Sequence, residues 1–312
     1  MNNTEERFQF PENIKRVTAG PGGEVLLVIG REKTAVLDCG MAFCGDRLVA
    51  NVQKVLGDRN LDYILLTHSH YDHMGGLPYL KKAWPEAVSV GAQHAQTVLN
   101  KQSARNIIRA LSLSAGEMFL QSNQISEYGL KPEEIGVTYD DQDVFVDRVV
   151  VEGDQIALGG LTVQVLETPG HTDCSISYYL LEKRILFPSE TMGCLTPDGE
   201  IMLAMLKGYD KTLQSIEKGR QLCPDLIIAP HYGKLSDFLA KDYWDRVKAM
   251  ADGYRNFILD RYRSGLSEDA IYEEYKTEYW HNITKNQQPM EAFEINGRQI
   301  IKAMIREQSE YL

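Results

Sequence analysis

Three of the seven histidines in this 312-residue chain fall within one short polar stretch. His68, His70 and His73 stand there with Asp72, in the order His-Ser-His-Tyr-Asp-His. Imidazole nitrogens and carboxylate oxygens are the ligands that zinc and other first-row divalent ions take from proteins. Residues two apart in extended chain point the same way, so His68 and His70 can face one point, while the following turn brings Asp72 and His73 to it from another side. The stretch predicts one metal site or two adjacent ones.

The segments on either side of this stretch indicate how it is held. The apolar run over 61–66 is typical of a buried strand, and Gly-Gly-Leu-Pro-Tyr-Leu from Gly75 onward is typical of a turn into a helix. The histidines therefore lie on a loop at the carboxyl end of a strand, where α/β folds place their chemistry.

Three further metal-competent side chains follow apolar runs in the second half of the chain. His171 comes after Thr-Pro-Gly, Glu190 after Pro-Ser, and His231 after Ala-Pro. One histidine at a strand end is ordinary, but several candidate ligands at successive strand ends are typical of a single site at one sheet edge. We therefore include His171, Glu190 and His231 among the candidate ligands.

The rest of the pattern predicts two strand-rich halves, each followed by helix. The first three strands, over 14–18, 24–29 and 34–37, are separated by glycine-containing turns and are expected to be antiparallel. Residues 94–136 lack alternation and are interpreted as a helical insertion of two helices. The fold class is therefore α/β, as a sandwich of two sheets with helices outside.

From about residue 237 the sequence is helical and rich in aromatic residues. Helices are predicted over 238–263, from Ser267 to Tyr279, and over 290–308. We divide the chain into a catalytic domain, 1–236, and a C-terminal helical extension, 237–312. The extension is expected to pack on the core, and to form a pocket wall or the interface of a homodimer. Residues 191–205 are interpreted as a loop that also contributes to the pocket wall.

Composition narrows the classes of partner. The net charge of −11 argues against nucleic acid, and 43% hydrophobic with 25% charged residues is ordinary for a globular protein. No apolar stretch approaches the length of a membrane span, and the first residues lack the pattern of a signal peptide. Five cysteines without Cys-x-x-Cys spacing predict reduced thiols. We expect a cytoplasmic protein acting on a small molecule, without membrane association.

These motifs together resemble the metallo-β-lactamase superfamily. The resemblance rests on Thr-His-x-His-x-Asp-His-x-Gly-Gly from Thr67, on Thr-Pro-Gly-His-Thr, and on the order of the later motifs, and it covers roughly residues 14–236. Asp38-Cys39-Gly40 also fits the early Asp-x-Gly of that superfamily. The resemblance implies a four-layer αβ/βα sandwich with a dinuclear metal centre between the sheets, here with the helical insertion and the C-terminal helical extension.

The resemblance also assigns roles to the candidate ligands. It implies that one metal is held by His68, His70 and His171, and the other by Asp72, His73 and His231. The bridging carboxylate is usually an aspartate, and Glu190 stands in its place, with an extra methylene that would alter the geometry or the metal spacing. Two divalent ions are implied, zinc by default for a histidine-rich site, with iron or manganese as alternatives. Asp72 would also orient the attacking water as the catalytic carboxylate.

The predicted function is a metal-dependent hydrolase that uses a water activated by a dinuclear centre. Its substrate would be small and ester-like: a thioester, lactone, ester or phosphoester. The helical layout resembles the glyoxalase II branch and the quinolone-signal-response thioesterase. Two alternatives remain open, namely a mononuclear-iron sulfur dioxygenase and a non-catalytic, metal-bearing regulatory or binding protein.

Overall fold

The computed structural model describes residues 6–139, 143–281 and 288–310 of the chain. Its centre is formed by two β-sheets. The first has six strands in sequence order: β1 (Ile14–Arg16), β2 (Leu26–Ile29), β3 (Thr34–Leu37), β4 (Tyr63–Leu65), β5 (Val88–Ala92) and β6 (Arg148–Val150). The first three strands are antiparallel, as predicted, and β3 to β6 are parallel. The change in direction follows from the connections, because parallel strands need a crossover such as a helix.

The second sheet has five strands in the order β13-β10-β9-β8-β7. They are β7 (Gln155–Ala157), β8 (Thr162–Glu167), β9 (Ile176–Leu180), β10 (Ile185–Phe187) and β13 (Leu226–Ile227). A small hairpin stands apart, formed by β11 (Cys194–Leu195) and β12 (Ile201–Met202).

Helices flank the two sheets. The first half contributes α1 (Gly45–Leu56), α2 (Tyr71–Met74), α3 (Leu77–Ala83), α4 (Gln93–Leu99) and α5 (Gln102–Gln121). The second half contributes α6 (Tyr209–Gln221), α7 (Asp237–Ala240), α8 (Tyr243–Arg263), α9 (Glu268–Tyr279) and α10 (Met290–Glu310). The two helices of the insertion, α4 and α5, lie where the sequence predicts them.

Side-chain alternation in the second sheet separates two hydrophobic cores. In β10, Ile185 and Phe187 belong to the core between the sheets, whereas Leu186 belongs to the core beneath the C-terminal helices. The same alternation puts Tyr178 of β9 between the sheets and Tyr179 on the other face. Apolar residues on both faces of the sheet therefore produce the four-layer sandwich that was predicted, with the C-terminal helices packed on the second sheet.

Two local predictions are wrong. The helix expected over 238–263 is divided into α7, which the Ser236 side chain caps at its N-terminus, and α8, because Asp242 leaves helical geometry with φ −132°. The buried Tyr243 then starts the second helix and donates its hydroxyl to the Met192 carbonyl at 2.6 Å. The second error concerns residues 191–205, interpreted as a loop, which contain the β11–β12 hairpin.

Other expectations concern single features. The five cysteines are free, and all except Cys223 are buried. Within the part of the chain that the structure describes, no helix combines the length and the apolar character needed to cross a membrane. The boundary at residue 236 and the homodimer stay predictions.

Candidate metal centre

Strand direction brings all seven candidate ligands to one edge of the sandwich. β3 and β4 are parallel, so Asp38 and the histidine stretch follow the same ends of neighbouring strands. The stretch was expected to be a loop throughout, but its second half, with Asp72 and His73, forms the short helix α2. In the second sheet β8 and β10 both run antiparallel to β9, and β13 is parallel to β10. The segments that follow β8, β10 and β13 therefore leave the sheet in one direction, and they carry His171, Glu190 and His231.

Hydrogen bonds to backbone carbonyls join the two sheets next to the site. The Ile176 amide donates to the Thr67 carbonyl at 2.9 Å, and the Tyr178 hydroxyl donates to the Leu66 carbonyl at 2.9 Å. On the other side the Glu24 amide donates to the Pro230 carbonyl at 2.7 Å. These bonds cross between the sheets, so the histidine loop and the later ligand segments are held in fixed relative positions.

Glycines allow the close approaches that the centre requires. A Cβ on Gly75 would stand 2.4 Å from the Ala42 amide nitrogen, and one on Gly76 would stand 2.3 Å from the Cys39 carbonyl oxygen. Gly170 has φ +148°, and a Cβ there would be 2.4 Å from a Thr191 methyl. The Gly-Gly and Pro-Gly pairs of the sequence thus have steric roles beside the ligands.

The first group of donors consists of His68, His70 and His171. His171 Nε2 lies 2.9 Å from His70 Nδ1, and the three rings meet edge to face. The Ala204 carbonyl, 2.9 Å from His171 Nδ1, fixes the orientation of that ring. With Nδ1 paired to a carbonyl, Nε2 is left as the atom that faces the other donors.

The second group consists of Asp72, His73, Glu190 and His231. His73 Nε2 and His231 Nε2 are 3.1 Å apart, and Glu190 Oε1 lies 2.7 Å from the first and 2.6 Å from the second. Asp72 Oδ2 is 3.5 and 3.6 Å from the same two nitrogens. Glu190 Oε2 points instead to the first group, 3.1 Å from His171 Nε2. The longer glutamate side chain therefore presents one oxygen to each group.

Asp38 supports the second group from behind. Its Oδ2 lies 2.9 Å from His73 Nδ1 and accepts the Thr67 hydroxyl at 2.8 Å, while Oδ1 accepts the Thr67 amide at 2.8 Å. A carboxylate on the remote nitrogen of a metal-binding histidine fixes the ring and its tautomer. The early Asp-x-Gly motif thus acts as a support for a ligand.

The donor set fits metal ions. Tetrahedral zinc with Zn–N bonds of about 2.0–2.1 Å places two nitrogens about 3.3 Å apart, and the nitrogens here stand 2.9 and 3.1 Å apart. Small outward shifts would therefore admit an ion into each group. His68 Nε2 is buried and has no hydrogen-bond partner among the described residues, which is costly for a polar atom unless it binds a ligand.

Electrostatics differ between the two groups. Burial, together with the neighbouring His171, lowers the pKa of His70 to about 3. Burial, together with the neighbouring His73, holds the pKa of His68 well below its ordinary value. These rings are neutral at physiological pH, which is the form that binds metal.

In the second group the carboxylates reverse the effect of burial. Burial opposes protonation of His73, but Asp72 and Asp38 raise its pKa well above the ordinary value. Burial likewise opposes ionisation of Glu190, but His171 and the neighbouring His231 hold the pKa of that carboxyl well below its usual range. Before a cation binds, the negative charge of this group is partly balanced by protons, so metal binding there releases protons.

The centre forms the floor of a cavity of about 210 Å³. The cavity is open to the ligand side chains His70, Asp72, His171, Glu190 and His231. Its walls come from the β11–β12 hairpin and from α8, α9 and α10. The pocket-wall role expected for the C-terminal helices is therefore observed in the structure.

The structure brings the candidate ligands together as the sequence predicts, but their surroundings had not been predicted. The Ala204 carbonyl has no sequence signal, because any residue supplies a backbone carbonyl. Arg7 was also missed: its buried guanidinium donates to the carbonyl of Pro197 at 2.7 Å and to that of Thr196 at 3.3 Å, which holds the turn of the hairpin. A lone arginine near the start of a chain carries no pattern that could have revealed this.

Comparison with known proteins agrees with the geometry. Glyoxylase B2 of Dictyostelium discoideum is 24% identical over 202 residues, 62% of this chain and 58% of that protein. A hydroxyacylglutathione hydrolase of Rhodopseudomonas palustris (strain BisB5) is 30% identical over 134 residues, 42% of this chain and 35% of that protein. This chain thus spans less than two thirds of the length of either curated relative.

A solved structure extends the likeness of fold to nearly the whole chain. The β-lactamase domain protein of Burkholderia ambifaria superposes with a TM-score of 0.62 at 13% identity, covering 97% of this chain and 88% of that one. The family profile described as "Metallo-beta-lactamase superfamily" matches residues 20–231, a range that contains all seven candidate ligands. The predicted family is therefore confirmed, and its members include hydrolases. The chain belongs to the metallo-β-lactamase superfamily.

Proposed function

We propose that the protein is a metal-dependent hydrolase that holds two divalent ions at this centre and cleaves a small ester-type substrate. The observation that carries the proposal is the position of Glu190, whose Oε1 lies 2.6 and 2.7 Å from nitrogens of one group while Oε2 lies 3.1 Å from a nitrogen of the other. A carboxylate placed in this way suits a bridge between two ions. We propose zinc, because five of the seven donors are imidazoles.

When bound, a pair of divalent ions supplies a water of lowered pKa and polarises the carbonyl of the substrate. The side chains of the protein perform the remaining tasks. Asp72 faces the cavity and can accept a hydrogen bond from the attacking water, which orients it. Asp38 keeps His73 Nε2 directed at the centre. The cavity walls keep bulk water from the reacting groups.

Thioesters are the first substrates to test. One relative is named a hydroxyacylglutathione hydrolase, and its substrate is a thioester by that name. Lactones, oxygen esters and phosphoesters belong to the same reaction class, since each requires attack by water on a polarised carbonyl or phosphoryl centre.

The test uses protein stripped of metal and reloaded with zinc, iron(II) or manganese(II). Metal content is measured for each form, and hydrolysis is measured on a panel of thioesters, lactones, esters and phosphodiesters. We expect about two ions per chain and hydrolysis of at least one ester class. His171→Ala should lower the metal content. It should also lower kcat by at least about a hundredfold, as expected for a residue in the reacting centre.

A matched control is available in the same chain. His94 lies on the exposed side of α4, away from the centre, so His94→Ala should retain metal content and activity. One iron per chain with oxygen uptake on a persulfide would favour the sulfur dioxygenase instead. Two bound ions with no turnover of any substrate class would favour a binding protein.

A further inference from the structure

The cavity wall away from the candidate ligands is largely apolar and contains a cluster of aromatic rings. It comes from two parts of the chain that have no ligand residues, namely the hairpin segment and the C-terminal helices. Both contribute side chains that are buried apart from their cavity faces: Leu195, Leu203, Tyr275, Phe293 and Ile300.

The aromatic part of this wall is packed before any ligand arrives. The ring centroid of Tyr275 lies 4.6 Å from that of Tyr279 and 5.7 Å from that of Phe293. Tyr279 in turn lies 4.8 Å from Tyr254. Burial raises the pKa of the Tyr275 hydroxyl well above its ordinary value, so the ring stays uncharged. A preformed apolar surface favours an apolar group, because its burial needs no rearrangement of the wall.

The described part of the wall has few groups that could pair with an anion. Among the described residues that line the cavity, none is lysine or arginine. Nearby cations already have partners: Lys207 pairs with Asp173 at 2.9 Å, and Arg7 donates to the Pro197 carbonyl at 2.7 Å. A carboxylate moved from water to the described part of this surface would lose its hydration without gaining a lysine or arginine partner there.

The size of the cavity fits a ring. An apolar cavity of about 150 Å³ in another protein accepts benzene, and the cavity here measures about 210 Å³. A phenyl-sized group could therefore lie against the wall while the scissile carbonyl lies over the ligands.

We propose that the preferred substrate carries an uncharged aromatic group next to its scissile ester or thioester bond, and that glutathione thioesters, with their free carboxylates, are poor substrates. The inference rests on the proposed hydrolase function and specifies its substrate class. The aromatic group could belong to the acyl part or to the leaving group, and the substrates below separate the two.

The experiment compares two substrate series on the zinc-loaded protein. In the first, acetyl, phenylacetyl and benzoyl groups are joined to N-acetylcysteamine, an uncharged thiol. In the second, an acetyl group is joined to benzyl mercaptan, N-acetylcysteamine or glutathione. We expect kcat/KM to rise at least tenfold on adding a ring in one of the series, and the glutathione thioester to be the poorest of its series.

A binding measurement separates this inference from the proposed function. S-benzyl-N-acetylcysteamine is a thioether and cannot be hydrolysed, so its binding can be followed by calorimetry with and without metal. Absence of hydrolysis for every ester refutes the proposed function. Hydrolysis with a preference for the glutathione thioester, or with no preference for a ring, refutes the inference.

A cation introduced into the cavity provides the variant test. Asn296 lines the cavity on α10, and its neighbour Ile295 is 54% exposed. Asn296→Lys should lower kcat/KM for the ring-bearing substrate at least tenfold and raise it for the glutathione thioester. Ile295→Lys adds the same charge to the same helix and should change neither value. Asn296→Leu, which stays neutral, should keep the preference for the ring. An unchanged preference in Asn296→Lys would show that the substrate does not contact this wall.

Discussion

Replacing Asp38 by asparagine tests whether this carboxylate supports the second group of ligands. Asp38 has φ +54°, a conformation that asparagine tolerates, so the backbone should be retained. Its Oδ2 lies 2.9 Å from His73 Nδ1, and its Oδ1 accepts the Thr67 amide at 2.8 Å. An asparagine can keep only one of these acceptors, because its NH₂ group must face either a ring N–H or a backbone N–H.

The expected magnitude follows from burial and from the kind of hydrogen bond that the substitution removes. Asp38 is 3% exposed and His73 is fully buried, so water cannot replace the missing partner. Loss of the group that orients a metal-binding histidine lowers the affinity for the metal by about 10–100-fold, which corresponds to about 1.4–2.7 kcal/mol. In the metal-free protein the substitution leaves one buried hydrogen-bond donor facing another. This should lower the free energy of unfolding by a further amount of about 1–3 kcal/mol. The ion at the first group should bind as before.

The assay is a zinc titration in competition with a chromophoric chelator, together with urea unfolding of the metal-free protein. Asp147→Asn is the matched control, because Asp147, directly before β6 of the first sheet, accepts the amide and the hydroxyl of Ser89 at 2.8 Å each and Lys81 at 2.9 Å. That control should lose stability but keep both metal affinities. Unchanged zinc affinity in Asp38→Asn, or equal weakening in the control, would refute the proposed support.

Three further predictions concern the bridge, the pH dependence and the hairpin. Glu190→Gln should lower the affinity for one of the two ions at least tenfold, since the amide offers an oxygen to one group only. Glu190→Asp should still bind metal. Unchanged affinity for both ions in Glu190→Gln would contradict a bridge. When the pH of dialysis is lowered from 8 to 6, the metal content should fall first at the second group. The reason is that His73, with its raised pKa, takes up a proton as the pH falls, whereas His70, with a pKa of about 3, stays neutral. Simultaneous loss of both ions would contradict this order. Arg7→Ala should free the hairpin turn and raise KM several-fold at constant metal content, and a loss of metal with unchanged KM would show a different role.

Much of the fold was predictable because local patterns and tertiary packing agree. The run over 34–37 is a strand with the predicted bounds. Predictions failed where a distant contact decided the outcome. After the helix break, Tyr243 contacts the Met192 carbonyl, which is distant in sequence, and the hairpin turn is held by Arg7, which is also distant.

The sequence by itself determined which residues are available as ligands and at which strand ends they stand. Histidine spacing, the Gly-Gly and Pro-Gly pairs and the order of apolar strands are local properties, so they can be recognised without a structure. Tertiary structure alone decided that Glu190 offers one oxygen to each group of ligands, because that arrangement depends on the distance between the two sheets. It also decided that the C-terminal helices turn an aromatic surface toward the ligands, since the packing of three helices on the second sheet determines which of their faces meets the cavity.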